Sequence, residues 1–227
     1  AAGSEADISS DRSRASGSAR YGRPVPTALL SVYDKTGISA LATELHELGW
    51  TLVSSGGTAK AVAAAGVPVT DLADLTGVPA ILDHRVVTLH PKVHGGILAD
   101  PTNPAHQDDM AEYGIEPISL VVANLYPFGS DTSAFEHGSG DPVEMIDIGG
   151  PAMVRAAAKN HAHVAVVVDP AAYDVVVTDL REHSEITAAT RRRLARDAFA
   201  HTAAYDAAIV TWFDAADTPD DESESEP

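Results

Sequence analysis

Several clusters of this sequence carry the residue types that hold anions and move protons. Ser31-Val32-Tyr33-Asp34-Lys35-Thr36-Gly37 and Ser54-Ser55-Gly56-Gly57-Thr58 each follow a short apolar run. In the second cluster two glycines allow a tight backbone turn and the hydroxyls add donors. A helix starting there offers unpaired N–H groups and its positive dipole end. A phosphate suits such a turn, although the same residues also read as a plain strand-to-helix connection with Thr58 as N-cap. Lys35 favours the anion. All four lysines, Lys35, Lys60, Lys92 and Lys159, lie in polar or glycine-flanked clusters, whereas the C-terminal helical stretches use arginine; Lys60 also fits a solvated helix surface.

Asp83 to Gly96 concentrates Arg85, Lys92 and three histidines. His90 and His94 are four apart, the spacing that puts two imidazoles on one helix face as metal ligands. Pro91 stands between them and no third ligand follows at a diagnostic spacing, so pocket-lining histidines are the favoured reading and no metal is expected. Ile146-Asp147-Ile148-Gly149-Gly150-Pro151 leads into a helical stretch that carries Arg155 and Lys159 one turn apart. Asp147 there suits either an N-cap or a proton-handling carboxylate, and Lys159 either a dipole complement or a functional ammonium.

Composition narrows the partners. With 227 residues and 44% apolar content the chain can bury a sizeable core. Thirty-three acidic against 15 basic residues give a net charge of −18, which argues against nucleic-acid or anionic-membrane binding, because phosphates would be repelled. Any anionic ligand needs a local positive site. The absence of cysteine removes disulfides, thiolate metal sites and cysteine nucleophiles, and fits a cytoplasmic chain. No run approaches the roughly 18 apolar residues that span a bilayer. A lysine-poor, aspartate-rich composition suits a surface kept hydrated in concentrated salt, and removing the six acids of Asp217–Pro227 still leaves −12.

The elements that must position these clusters alternate. Thr27 to Val32, Thr51 to Val53, Val67 to Val69, Ile118 to Ala123 and Val164 to Val168 read as strands. Gly37 to Leu48, Thr58 to Ala65, Pro151 to Lys159, Ala171 to Glu182 and Thr187 to Trp212 read as helices. Apolar strands without polar alternation predict a doubly wound parallel sheet covered on both faces, in an α/β domain with a helical C-terminal extension. Residues 1–26 read as a disordered leader, 27–213 as the folded domain and 214–227 as an acidic disordered tail. In such sheets ligands bind beyond the carboxyl ends of the strands, where the clusters fall.

Ser31 to Gly37, Ser55 to Lys60, Asp83 to Leu98, Asn124 to Phe128, Asp147 to His161 and Phe199 to Asp206 resemble, in order, the inosine monophosphate (IMP) cyclohydrolase domain of the bifunctional purine-biosynthesis protein. The resemblance implies a methylglyoxal-synthase-like fold. It implies a hydrolase acting on cyclic amidines that closes 5-formamidoimidazole-4-carboxamide ribonucleotide to IMP with loss of water, without cofactor or metal. In that family a formyltransferase domain follows, whereas this sequence ends in an acidic segment, so another protein would supply the formyl group. By motif, Ser31, Lys35, Ser55, Gly57 and Thr58 would surround the phosphate, and Arg85 and Thr88 would lie alongside the nucleotide. Asn124, Tyr126, Asp147 and Lys159 would face the base, with Asp147 and Lys159 polarising the formyl oxygen and moving protons and Tyr126 assisting. The expected partners are this nucleotide and its product, and a homodimer is entertained.

One position departs from the family pattern, Arg-Val-Lys-Thr-Leu-His-Pro. Here it reads Arg85-Val86-Val87-Thr88-Leu89-His90-Pro91, with valine at the lysine. A paralogue closing a related ring in a specialised nucleoside pathway, or a non-catalytic nucleotide-binding domain, is therefore the alternative.

Overall fold

The computed structural model describes residues 25–125, 128 and 142–216. The expected leader and tail therefore lie almost wholly outside the described residues, as does Tyr126. The strands are β1 (Thr27–Val32), β2 (Thr51–Ser54), β3 (Thr70–Asp71), β4 (Leu120–Asn124) and β5 (Ala165–Val167). The helices are α1 (Ile38–Glu47), α2 (Gly56–Ala64), α3 (Leu72–Thr76), α4 (Pro91–Leu98), α5 (Pro104–Tyr113), α6 (Gly149–Lys159), α7 (Tyr173–His183) and α8 (Ala188–Ala216).

All the strand pairings in the sheet are parallel, in the order β3-β2-β1-β4-β5. Successive strand residues face opposite sides, so each strand feeds two cores. Leu30, Val32, Leu52, Val122 and Val167 pack with Ile38, Leu45, Val62 and Val176 of α1, α2 and α7. Leu29, Val53, Val121 and Val166 pack with Ile97, Met153, Ala157 and Ala198 of α4, α6 and α8. This is the doubly wound architecture that the unbroken apolar runs predict. Among the described residues no helix is long and apolar enough to cross a membrane.

Local differences have local causes. The strand expected at Val67–Val69 forms three residues later, where Thr70 pairs with Val53 and Asp71 with Ser54, because Pro68 has no N–H to give a ladder. The sequence reading misses α3, α4 and α5. Pro91, expected to separate His90 from His94, instead opens α4 at a position where its missing N–H costs nothing. His90 is the N-cap, its Nδ1 accepting from the Lys92 N–H at 3.1 Å. Asn103 and Pro104 open α5 in the same way, the Asn103 side chain accepting from the Ala105 N–H at 3.0 Å.

Candidate active site

The strand order reverses between β1 and β4, and there two connections diverge to opposite faces, leaving a crevice at the strands' carboxyl ends. Asn124, the last residue of β4, ties the two connections together. Its Oδ1 accepts from the N–H groups of Tyr33 and Asp34 at 2.7 and 2.9 Å, and its Nδ2 donates to the Asp34 carbonyl at 3.0 Å. Asp34 is pinned in turn, its carboxylate held below the usual range by hydrogen bonds from Thr36.

On the β2 side, Ser55 takes the N-cap position of α2 in an extended conformation, with its hydroxyl not spent on capping. Among the described residues no acceptor answers the N–H groups of Gly56, Gly57 or Thr58. The Lys35 side chain, whose Nζ donates one hydrogen bond to the Tyr33 carbonyl at 3.3 Å, lies over this helix start with two further N–H bonds to give: a Cβ on Gly57 would stand 3.3 Å from its Cε and 3.6 Å from its Nζ. An ammonium at a positive dipole end with no acid in the first turn is an unfavourable arrangement until an anion sits between them. Thr58 has another task. Its buried hydroxyl accepts from the Val32 N–H at 3.1 Å and donates to the Val32 carbonyl at 3.0 Å, so only its backbone N–H is open to a ligand. Ser31 is half-buried one residue before the carboxyl end of β1.

The opposite wall is built by the start of α6. The Asp147 Oδ1 accepts from the Gly150 N–H at 2.9 Å, and its backbone N–H donates to the Tyr205 hydroxyl at 2.8 Å. A Cβ on Gly149 would strike the Thr88 hydroxyl, and one on Gly150 would strike the Asp147 carboxylate and Leu125. Only glycine lets Thr88, Asp147 and Leu125 approach this closely. Arg85 reaches the same wall through an ion pair with Glu144, whose 3-10 turn spans Pro142–Met145. The Arg85 turn follows three successive residues in the left-handed region, Leu82, Asp83 and His84.

One expected site residue, Lys159, lies apart from this wall, and Lys92 and Val87 have other neighbours. Lys159 ends α6 at the edge of the sheet opposite the crevice, where the neighbouring Asn160 side chain donates to the Ile97 and Ala99 carbonyls. The eleven residues of α6, Lys159 the last of them, span about 16 Å at 1.5 Å per residue, which sets the backbone of Lys159 that far from the Asp147 end. Lys92 donates one hydrogen bond to the Leu75 carbonyl at 3.2 Å. Val87 is partly buried against the core cluster that holds Ile97, Met153 and Ala198.

Two partners of the site escaped the sequence reading. Tyr205 holds Asp147, and His201 accepts from the Leu125 N–H at 3.3 Å through Nε2. Burial holds the His201 imidazole below its usual value, consistent with a neutral acceptor, and pushes the Tyr205 phenol up. Both lie within the Phe199 to Asp206 block of the resemblance, and their spacing of four residues on α8 marks a common helix face. Among the described residues no group of three or more His, Asp or Glu side chains could hold a metal ion.

The chain is similar to known proteins in sequence and fold. Residues 37–152, more than half of the chain, match the MGS-like domain model. The chain belongs to the MGS-like domain family. Residues 157–226 match a second model, described as the AICARFT/IMPCHase bienzyme. The MGS-like chain is 58% identical over 189 residues to the bifunctional purine biosynthesis protein PurH of Synechococcus sp. (strain WH7803), covering 82% of this chain and 36% of that protein. It is 56% identical over 191 residues to PurH of Brucella canis, covering 83% and 35%. It thus spans about a third of the length of these relatives. The crystal structure of ForH superimposes with a TM-score of 0.75 at 40% identity, over 83% of this MGS-like chain and 99% of ForH.

Proposed function

We propose that this chain is an IMP cyclohydrolase, closing 5-formamidoimidazole-4-carboxamide ribonucleotide to IMP and water, with residues 27–213 as its catalytic domain and the cytoplasm as its location. The carrying observation is the placement of Lys35 over the open start of α2, at the strands' carboxyl ends beside the switch point. The identity to PurH relatives over the folded region supports the same reading.

In the reaction the carboxamide nitrogen attacks the formyl carbon. The new C–N bond closes the ring, and the former formyl oxygen departs as water with one proton from each of the two nitrogens. Holding two neighbouring substituents in attack geometry supplies most of the acceleration, and the remaining work is proton movement and charge stabilisation. The phosphate binds the N–H groups of Gly56, Gly57 and Thr58, the Ser55 hydroxyl and Lys35, with Ser31 beside it. Arg85 and Thr88 hold the nucleotide against the start of α6. Asp147 keeps one carboxylate oxygen on the Gly150 N–H and takes a proton from the carboxamide nitrogen with the other. Asn124 shapes the pocket by fixing the Tyr33–Asp34 backbone, and Tyr126 assists at the base. Lys159 protonates the departing oxygen only if another copy delivers it.

The test is incubation of purified protein with the formamido ribonucleotide while following purine ultraviolet absorbance. Growth of the IMP spectrum without added metal or folate is the expected result. Nucleotide binding without product, or activity lost to a chelator and restored by zinc or magnesium, overturns the reading. A paralogue closing a related ring is the second reading, favoured by Val87 in place of the family lysine.

A further inference from the structure

Among the described residues one buried side-chain polar atom has no hydrogen-bond partner, the hydroxyl of Tyr173. The residue is 7% exposed and opens α7, where its ring joins the core cluster of Ile38 and Val176. An edge of that ring backs the loop that carries Lys35: a Cβ on Gly37 would stand 3.4 and 3.6 Å from the Tyr173 Cδ2 and Cε2. A donor shut away from water without an acceptor is destabilising, so its presence calls for an acceptor that arrives in another state.

Burial, and then the carboxylates of Asp34 and Asp169, push the phenol up to about 12. Asp169 belongs to the same rigid turn as Tyr173. It caps the short 3-10 turn Pro170–Ala172 that leads directly into α7, its side chain accepting from the Ala171 N–H at 2.9 Å. Asp34 is placed differently, on the exposed loop of residues 33–37, which ends in the left-handed Gly37. Its Oδ1 takes the Thr36 N–H at 2.8 Å, and a carboxylate keeps lone pairs for a second donor.

From this arrangement we infer that Tyr173 is a positioning residue of the nucleotide site: when an anion binds at Lys35, the 33–37 loop closes on α7 and the Tyr173 hydroxyl donates to the Asp34 carboxylate. The driving force is electrostatic. Without an anion the Lys35 ammonium lies over the positive end of α2, and their repulsion holds the loop off. An anion between them turns repulsion into attraction. The loop is then fixed from two sides, by Asn124 of β4 on the Tyr33 and Asp34 N–H groups and by Tyr173 of α7 on the Asp34 side chain. The inference rests on Lys35 meeting the phosphate, and it adds a hydrogen bond that only the occupied site forms.

The test compares the unmodified protein with Tyr173→Phe, which removes the hydroxyl and keeps the ring against Gly37. Melting without ligand, and calorimetry with IMP and with inorganic phosphate, read the two states separately, and neither requires turnover. Tm without ligand should stay the same or rise, because a buried donor without an acceptor is removed. IMP affinity should fall about fivefold or more, as the loss of one buried hydrogen bond to a charged group would make it. In an Asp34→Ala background the same change should make no further difference, whatever Asp34→Ala itself does through Thr36. A lower Tm without ligand, an unchanged IMP affinity, or the same loss in the Asp34→Ala background each overturns the inference. If the unmodified protein binds neither IMP nor phosphate, the nucleotide reading fails and the inference with it. If it binds both and Tyr173→Phe binds them equally well, the role of Tyr173 alone fails.

Discussion

Asp147 and Lys159 occupy opposite ends of one helix, Asp147 at the start of α6 by the crevice and Lys159 at its last turn on the far edge of the sheet. The backbone rise between them is about 16 Å, longer than a single nucleotide base. If both serve one reaction, they come from different copies. Asp147→Asn and Lys159→Ala should each lose at least about a hundredfold in turnover. Mixing the two inactive variants should then restore up to a quarter of the unmodified activity, because half of randomly formed dimers are mixed and each holds one intact site. No recovery on mixing, or full activity of Lys159→Ala alone, rules out delivery by a second copy.

The phosphate cradle predicts a binding defect. Lys35→Ala should raise KM about tenfold or more with a smaller change in kcat, since the ammonium meets a group that does not react. Inorganic phosphate or IMP should inhibit competitively and the unphosphorylated nucleoside should bind poorly. Gly57→Ala should cost less than Lys35→Ala, because the added Cβ meets only the flexible end of the Lys35 side chain at 3.3 Å. Equal affinity for nucleoside and nucleotide, by calorimetry, contradicts the assignment.

Val87 gives a test of whether an ammonium is missing. Val87→Lys can run its stem along the core surface and lift the charge toward the crevice. Turnover should rise at least about tenfold, with the IMP inhibition constant nearly unchanged and a stability loss of about 1 to 2 kcal/mol from the disturbed packing. An unchanged rate means that this active site works without that lysine.

Acid stability should depend on Asp179. Burial pushes its carboxyl up, but the Thr187 N–H and the Thr190 and Thr187 hydroxyls outweigh this and leave it below the ordinary value. A depressed folded-state pKa stabilises the protein above the unfolded value near 4, and this contribution is lost as pH falls through the folded value. Asp179→Asn should therefore lower Tm at pH 7 and flatten the fall in Tm below about pH 4. Parallel Tm-against-pH curves for the two proteins count against this role.

Salt should stabilise the fold. With a net charge of −18, screening from about 0.1 M to about 2 M potassium chloride shortens the reach of self-repulsion below about 3 Å. A rising Tm is expected from differential scanning fluorimetry. A flat or falling Tm assigns the acidity to composition alone.

The sequence by itself determined which segments become β1, β2, β4, β5, α1 and α6, because burial between two helix layers demands unbroken apolar runs and local periodicity reports it. It also determined the chemistry at hand: Lys35 with Ser55 to Thr58, and Asp147 before a glycine pair. The prolines concealed α4 and α5, since a helix-opening proline and a helix-breaking one are the same residue until the turn before it is seen. Only the tertiary structure decided how each polar group is spent. The hydroxyl of Thr58 goes to Val32, the amide of Asn124 to Tyr33 and Asp34, and the ammonium of Lys92 to Leu75. Those partners lie far away in sequence and compete with any ligand. The tertiary structure alone also set Asp147 and Lys159 apart, because the length and direction of α6 between β4 and β5 fix which edge of the sheet each end reaches.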